Sequence, residues 1–171
     1  MKAVVVYESM FGTTETIARA IADGLSGQAQ VELVNVDDAP TGLEGTDLLV
    51  VGGPTHVRGM SRESTRKGAE NQTSEPLRSH TGIREWLGRL GPAPEGLRAV
   101  AFDTRIDKAR WLVGSAARGA EKLLHKHGYP TCAEAESFFV AGSGDQGLEP
   151  GEEDRARAWA RSLTAKATPR A

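Results

Sequence analysis

Apolar positions recur along this chain in two periods, and the alternation between them predicts its elements. Val4, Val5 and Val6 form a short β-branched run with the composition of a buried strand. After a polar turn, Ile17, Ala18, Ile21, Ala22 and Leu25 return at helical spacing before Gly27, predicting a helix over 13–26. Gln30 to Val36 alternates partially, which suits a strand nearer a sheet edge. Asp47 to Gly52 is continuously apolar and stops at Gly-Gly-Pro, the pattern of a central strand ended by a loop. Ile83 to Leu90 predicts a short helix with Trp86, Leu87 and Leu90 on one face, and Leu97 to Phe102 a fourth strand. Leu112, Val113, Ala116, Ala117, Ala120, Leu123 and Leu124 mark one long helix closed by Gly128 and Pro130. Glu136 to Ala141 reads as a fifth strand. Ala156, Trp159, Ala160 and Leu163 give a last helix one apolar stripe, with an acidic start and a basic end that suit its macrodipole.

Five strands alternating with helices predict an α/β fold, a parallel sheet covered by helices on both faces. Ligands of such sheets sit at the carboxyl ends of the strands, near the point where strand order reverses. The chemistry is therefore expected in the turns at 8–14, 53–61 and 103–111. The first turn, Glu8-Ser9-Met10-Phe11-Gly12-Thr13-Thr14, is rich in hydroxyls and opens a helix. Backbone N–H groups and the positive helix end make such a turn an anion site. It carries no Lys, so a phosphate would be held by neutral donors. A plainer role for the same residues is helix capping by Thr13.

Composition narrows the class. A length of 171 residues fits one domain, expected over 1–165, with a fraying tail at 166–171. The net charge of −2 gives no nucleic-acid footprint. The lone Cys132 excludes an internal disulfide and fits a reducing, cytoplasmic compartment. No apolar run approaches the ~18 residues needed to span a bilayer, and Met1-Lys2 leads straight into a strand, so neither a membrane span nor a signal peptide is expected. No Ser-His-Asp, HExxH, Walker or paired-carboxylate constellation supports a hydrolase. Cys132 has no metal-ligand spacing beside it. His125 and His127 sit where a helix C-terminus would favour cations.

Across nearly its whole length the pattern resembles the flavodoxin family of FMN-binding electron carriers, on the short-chain plan with an extra segment after the third strand. The family's phosphate turn is Thr/Ser-x-Thr-Gly-x-Thr. Here Ser9, Gly12 and Thr14 match, while Phe11 replaces the middle hydroxyl. The resemblance implies a three-layer sandwich with five parallel strands in the order 2-1-3-4-5. It also implies a noncovalent FMN with its phosphate on Ser9, Met10, Phe11, Gly12, Thr13 and Thr14. The flavin ring would lie between Pro54, Thr55, His56, Val57, Arg58 and Gly59 on one side and Asp103, Thr104, Arg105 and Ile106 on the other. Gly59 is the family-implied position for a peptide flip near the flavin N5. Many carriers place Trp in the second turn and Tyr in the third; this chain offers His56 and no Tyr, and the nearby Trp111 and the more distant Trp86 read as core or helix-face residues. Arg105 is a potential donor at the pyrimidine edge.

Residues 58–82 are polar and poor in apolar positions, too long for an ordinary connection. They read as a lid or basic docking loop over the ring, or as a mobile surface excursion. Two functions follow. One is an electron carrier between a reductase and an acceptor protein. The other is a flavin-dependent oxidoreductase acting on a small acceptor of the quinone or porphyrinogen type, with 58–82 shaping its pocket.

Overall fold

The computed structural model describes residues 1–142 and 147–168. In chain order the elements are β1 (Lys2–Tyr7), α1 (Thr13–Leu25), β2 (Gln30–Asn35), β3 (Leu48–His56), β4 (Gly59–Met60), α2 (Glu63–Glu70), α3 (Ile83–Leu87), β5 (Arg98–Ile106), α4 (Arg110–Val113), α5 (Ala116–Lys126), β6 (Glu136–Val140) and α6 (Glu152–Ala167). The sheet runs β2-β1-β3-β5-β6, with every one of these neighbours parallel, and β4 folds back antiparallel on β3. Apart from that hairpin strand, this is the expected 2-1-3-4-5 order. Two apolar cores lie on opposite faces of the sheet. Ile17, Ile21 and Leu25 of α1 and Ala156, Ala160 and Leu163 of α6 pack on one face. Trp86 and Leu87 of α3 and Ala117, Ala120 and Leu124 of α5 pack on the other. The result is the three-layer sandwich that two-sided apolar strands require.

The structure corrects several sequence boundaries. Residues 53–56 and 103–106, expected as loops, continue β3 and β5, because Gly53 still pairs with Asp103 and Pro54 with Thr104. The single helix expected across 112–124 is broken in two. Gly114, at φ 76°, ends α4, and Ser115 caps α5 by accepting from the Arg118 N–H. The tail expected to fray from residue 166 is still helical there: α6 runs through Ala167, which is buried, while 169–171 lie outside the described residues.

Segment 58–82 is neither a bare loop nor a loose excursion; it forms β4, α2 and a return stretch pinned to the sheet. Met10, Ala69 and Leu77 make a small apolar cluster of their own. The Arg78 N–H donates to the Met10 carbonyl at 3.1 Å, and the Ser9 N–H donates to the Ser79 hydroxyl at 3.0 Å. These bonds lay the segment across the turn after β1.

Candidate functional site

At the carboxyl end of the sheet, the ends of β1, β3, β5 and β6 open on a cleft of 370 Å³. Its lining includes Ser9, Met10, Phe11, Thr13 and Thr14 from the first turn, Pro54, Thr55 and His56 from β3, and Thr104, Arg105 and Ile106 from β5. Eleven of the sixteen expected site residues therefore meet in one place, where β1 lies between β2 and β3 and strand order reverses.

The first turn is preset for an anion. Gly12 is the N-cap of α1 at φ 101°, a left-handed conformation that favours glycine, so Thr13 is the first helical residue and not the cap. The buried Ser9 hydroxyl takes over capping from outside the helix, accepting from the N–H groups of Gly12 (3.0 Å) and Glu15 (3.3 Å). The N–H groups of Phe11, Thr13 and Thr14 take no protein partner among the described residues. Three free N–H groups at a helix N-terminus form the neutral donor set that a phosphate dianion needs. Thr14 and Thr104 join hydroxyl to hydroxyl at 2.7 Å across the two outer walls. One of the two donates, so the other keeps a proton free for a ligand.

Other expected residues turn elsewhere. Asp103 points away from the cleft and is fully buried. Its Oδ2 accepts from the Ser115 hydroxyl (2.7 Å), the Ala117 N–H (2.9 Å) and the Thr55 hydroxyl (3.2 Å). Asp103 thus anchors the start of α5, where a carboxylate meets both free N–H groups and the positive helix end. Arg105 lines the cleft, and part of its guanidinium is held by the chain: Nε donates to Ser137, and Nη1 to the carbonyls of Ile106 and Lys108 (2.7 Å to the latter). Val57 and Arg58 form the β3–β4 turn outside the cleft, and Gly59 begins β4 by pairing with His56. Gly12 faces Arg78, whose Nε lies 2.9 Å from where a Cβ would stand. Trp111 belongs to neither core nor cleft and is largely exposed, whereas Trp86 is core, its indole N–H donating to the Pro40 carbonyl at 3.1 Å.

Besides Arg105, other charged groups stand around the cleft. Glu15 at the start of α1 is bonded by Arg19 (2.7 Å) and Arg78 (3.0 Å). Burial would raise its carboxyl, but those two arginines outweigh burial and hold it below the usual range. His56 is half-buried on the cleft wall; burial first and Arg66 second lower its imidazole, favouring the neutral ring. Glu8 lies behind the first turn, fully buried, accepting from the Ser61 hydroxyl and the Ile83 N–H (2.8 Å). Burial raises its carboxyl despite those bonds and Arg66.

Two lining residues lie outside the sixteen expected. Gln72 arrives from the polar stretch after α2, and Val140 is the last residue of β6. Asking which strand adjoins β5 would have pointed to Val140; nothing periodic marks Gln72.

The flavodoxin family model matches residues 5–105, which carry the first two turns and most of the third strand end. The chain belongs to the flavodoxin family. FMN is the cofactor of that family, and electron transfer through it is the family's function. Solved flavodoxins share the fold across almost the whole chain. Oxidised flavodoxin 1 of Bacillus cereus superposes with a TM-score of 0.67 at 16% identity, covering 96% of this chain and 98% of its own. Flavodoxin 2 of the same organism gives 0.66 at 16%, covering 97% and 99%. A flavodoxin from the Archaea gives 0.64 at 17%, covering 98% and 99%. No curated protein matches the chain. The donor set of the first turn and the cleft beside it fit FMN: neutral N–H and hydroxyl donors at a helix end, opening on walls of Met10, Pro54, Ile106 and Val140.

Proposed function

We propose that this flavodoxin is an electron carrier that holds FMN with its phosphate in turn 9–14 and its ring in the cleft between Pro54–His56 and Thr104–Ile106. The observation that carries this reading is the convergence of Thr14, Thr55 and Thr104 on one cleft, tied by the 2.7 Å hydroxyl pair. FMN supplies the redox chemistry when bound; the protein supplies position and surroundings. Ser9 shapes the turn, the N–H groups of Phe11, Thr13 and Thr14 take the phosphate, and His56 fills the wall where other family members carry an aromatic ring. No helix among the described residues is long and apolar enough to cross a membrane.

Titration of the colourless protein with FMN tests this reading. Saturable quenching of flavin fluorescence is expected, with riboflavin, which lacks the phosphate, bound much more weakly. Absence of saturable uptake would overturn it. The entry of Gln72 into the cleft favours a second reading, an FMN-dependent oxidoreductase whose pocket is partly built by 58–82. Turnover of a quinone with NADH or NADPH as sole reductant, lowered by Gln72→Ala, would support that reading over the carrier.

A further inference from the structure

We propose that the face built from the β3–β4 turn and α4 is a docking surface for an acidic redox protein, with Trp111 as its apolar centre. The proposal rests on the electron-carrier reading and adds the chemistry of the partner. Three large apolar side chains stand exposed here: Val57 (86%), Trp111 (80%) and Leu112 (46%). None is left out by accident of a frayed end. Val57 and Arg58 occupy the turn at φ 37° and 70°, a left-handed pair that relaxed hairpins give to Asn-Gly, and a β-branched residue is strained there. Helix α4 buries none of its own side chains, yet it is held in place from behind. Arg58 pairs with Gly114, and a Cβ on Gly114 would overlap the Arg58 backbone, so turn and helix form one continuous surface.

The charge of this surface is one-sided. Arg58, Lys108 and Arg110 are exposed and make no ion pair among the described residues, and Asp107 is the one acid between residues 106 and 115. A chain of net charge −2 thus concentrates cations on the face beside its cleft. The face also adjoins the site directly, since His56 and Ile106, both on the cleft wall, precede Val57 and Asp107. An exposed tryptophan on a short helix with unpaired cations beside it in the chain and on the adjoining turn is the anatomy of an interface anchor with a polar rim, and it selects a partner carrying carboxylates around an apolar patch. A lipid surface fits less well, because no amphipathic helix of useful length accompanies the cations.

The test uses the FMN-loaded, reduced protein mixed in a stopped-flow instrument with ferric cytochrome b5, an acidic haem protein, or with ferric cytochrome c, a basic one. One electron leaves the reduced protein and one haem iron passes from Fe(III) to Fe(II), with no bond made or broken. The rate constant with cytochrome b5 is expected to fall roughly tenfold or more as salt rises from about 10 to about 150 mM, where the screening length shrinks from about 30 to about 8 Å. Cytochrome c should show the opposite slope. Lys108→Glu with Arg110→Glu should abolish the cytochrome b5 slope, and Trp111→Ala should weaken its docking about tenfold, both with unchanged FMN uptake. A cytochrome c rate that falls with salt, or variants that change neither rate, would overturn the proposal. Sedimentation of the protein with phosphatidylserine vesicles, without salt-sensitive docking to cytochrome b5, would overturn it in favour of a membrane face. If FMN is not taken up, the carrier reading fails by itself. Docking is then read from quenching of tryptophan fluorescence by cytochrome b5: saturable quenching lost in Trp111→Ala supports the surface, and its absence overturns it.

Discussion

Thr14 and Thr104 offer a sharp test of how the cleft is held together, because valine copies their shape and removes only the hydroxyl. Both side chains are buried, and their oxygens lie 2.7 Å apart, joining the start of α1 to the end of β5. Thr14→Val leaves the Thr104 hydroxyl without its partner, and Thr104→Val does the same to Thr14. A buried hydroxyl orphaned in this way costs about 1–3 kcal/mol. The double variant removes both polar groups and leaves none orphaned, so its cost should be near that of one single variant. The coupling between the sites is then about 1–3 kcal/mol. Urea unfolding of the cofactor-free protein reads this directly: with a slope of about 1–3 kcal/mol per molar urea, a loss of 2 kcal/mol moves the midpoint by about 1 M. FMN affinity gives a second readout, since Thr14 also faces the phosphate turn; Thr14→Val should weaken FMN about tenfold, or about 1.4 kcal/mol, and riboflavin hardly at all. Single costs that simply add in the double variant would refute the pair. An equal loss for FMN and riboflavin would refute the phosphate role.

Asp103→Ala should cost about 3 kcal/mol or more in thermal or urea unfolding, because it strips a shared acceptor from Thr55, Ser115 and the N-terminus of α5. Gly114→Ala should destabilise by at least about 1–2 kcal/mol from the left-handed backbone alone, with a further loss as the β3–β4 turn is pushed away, seen as a lowered melting temperature. Glu8 sets a pH dependence. Its carboxyl is raised by burial, so the folded chain holds that proton more tightly than the unfolded chain. The resulting stabilisation is complete below the unfolded value of about 4.3 and is lost as pH rises through the folded value. Glu8→Gln should flatten the fall in unfolding free energy between those two values; an unchanged slope would show that Glu8 does not titrate there.

The order of strands and helices, the two-faced burial of the sheet and the meeting of three distant turns were legible along the chain. Each depends on a periodicity that a local run of side chains carries by itself: Val4 to Val6 and Leu48 to Val51 are apolar on both faces and must be covered on both. The turn after β1 was legible for the same reason, since a hydroxyl-rich turn between strand and helix is a local object. What the chain did not announce is decided by partners far away in sequence. Asp103 looked like a cleft residue and proved an anchor for α5, because side chains on a strand alternate faces and its own register sends it towards Ser115. Segment 58–82 reads as polar and poor in apolar positions, yet it folds because Glu8 binds Ser61, Met10 receives Leu77 and Ala69, and Arg66 pairs with Glu85 at 3.0 Å. Trp111 reads as core by its chemistry but stands on the surface, since the break at Gly114 turns its helix away from the sheet. Local pattern determines which face of an element must be buried; only the packed molecule decides which distant groups bury it and which side chains are left for a partner.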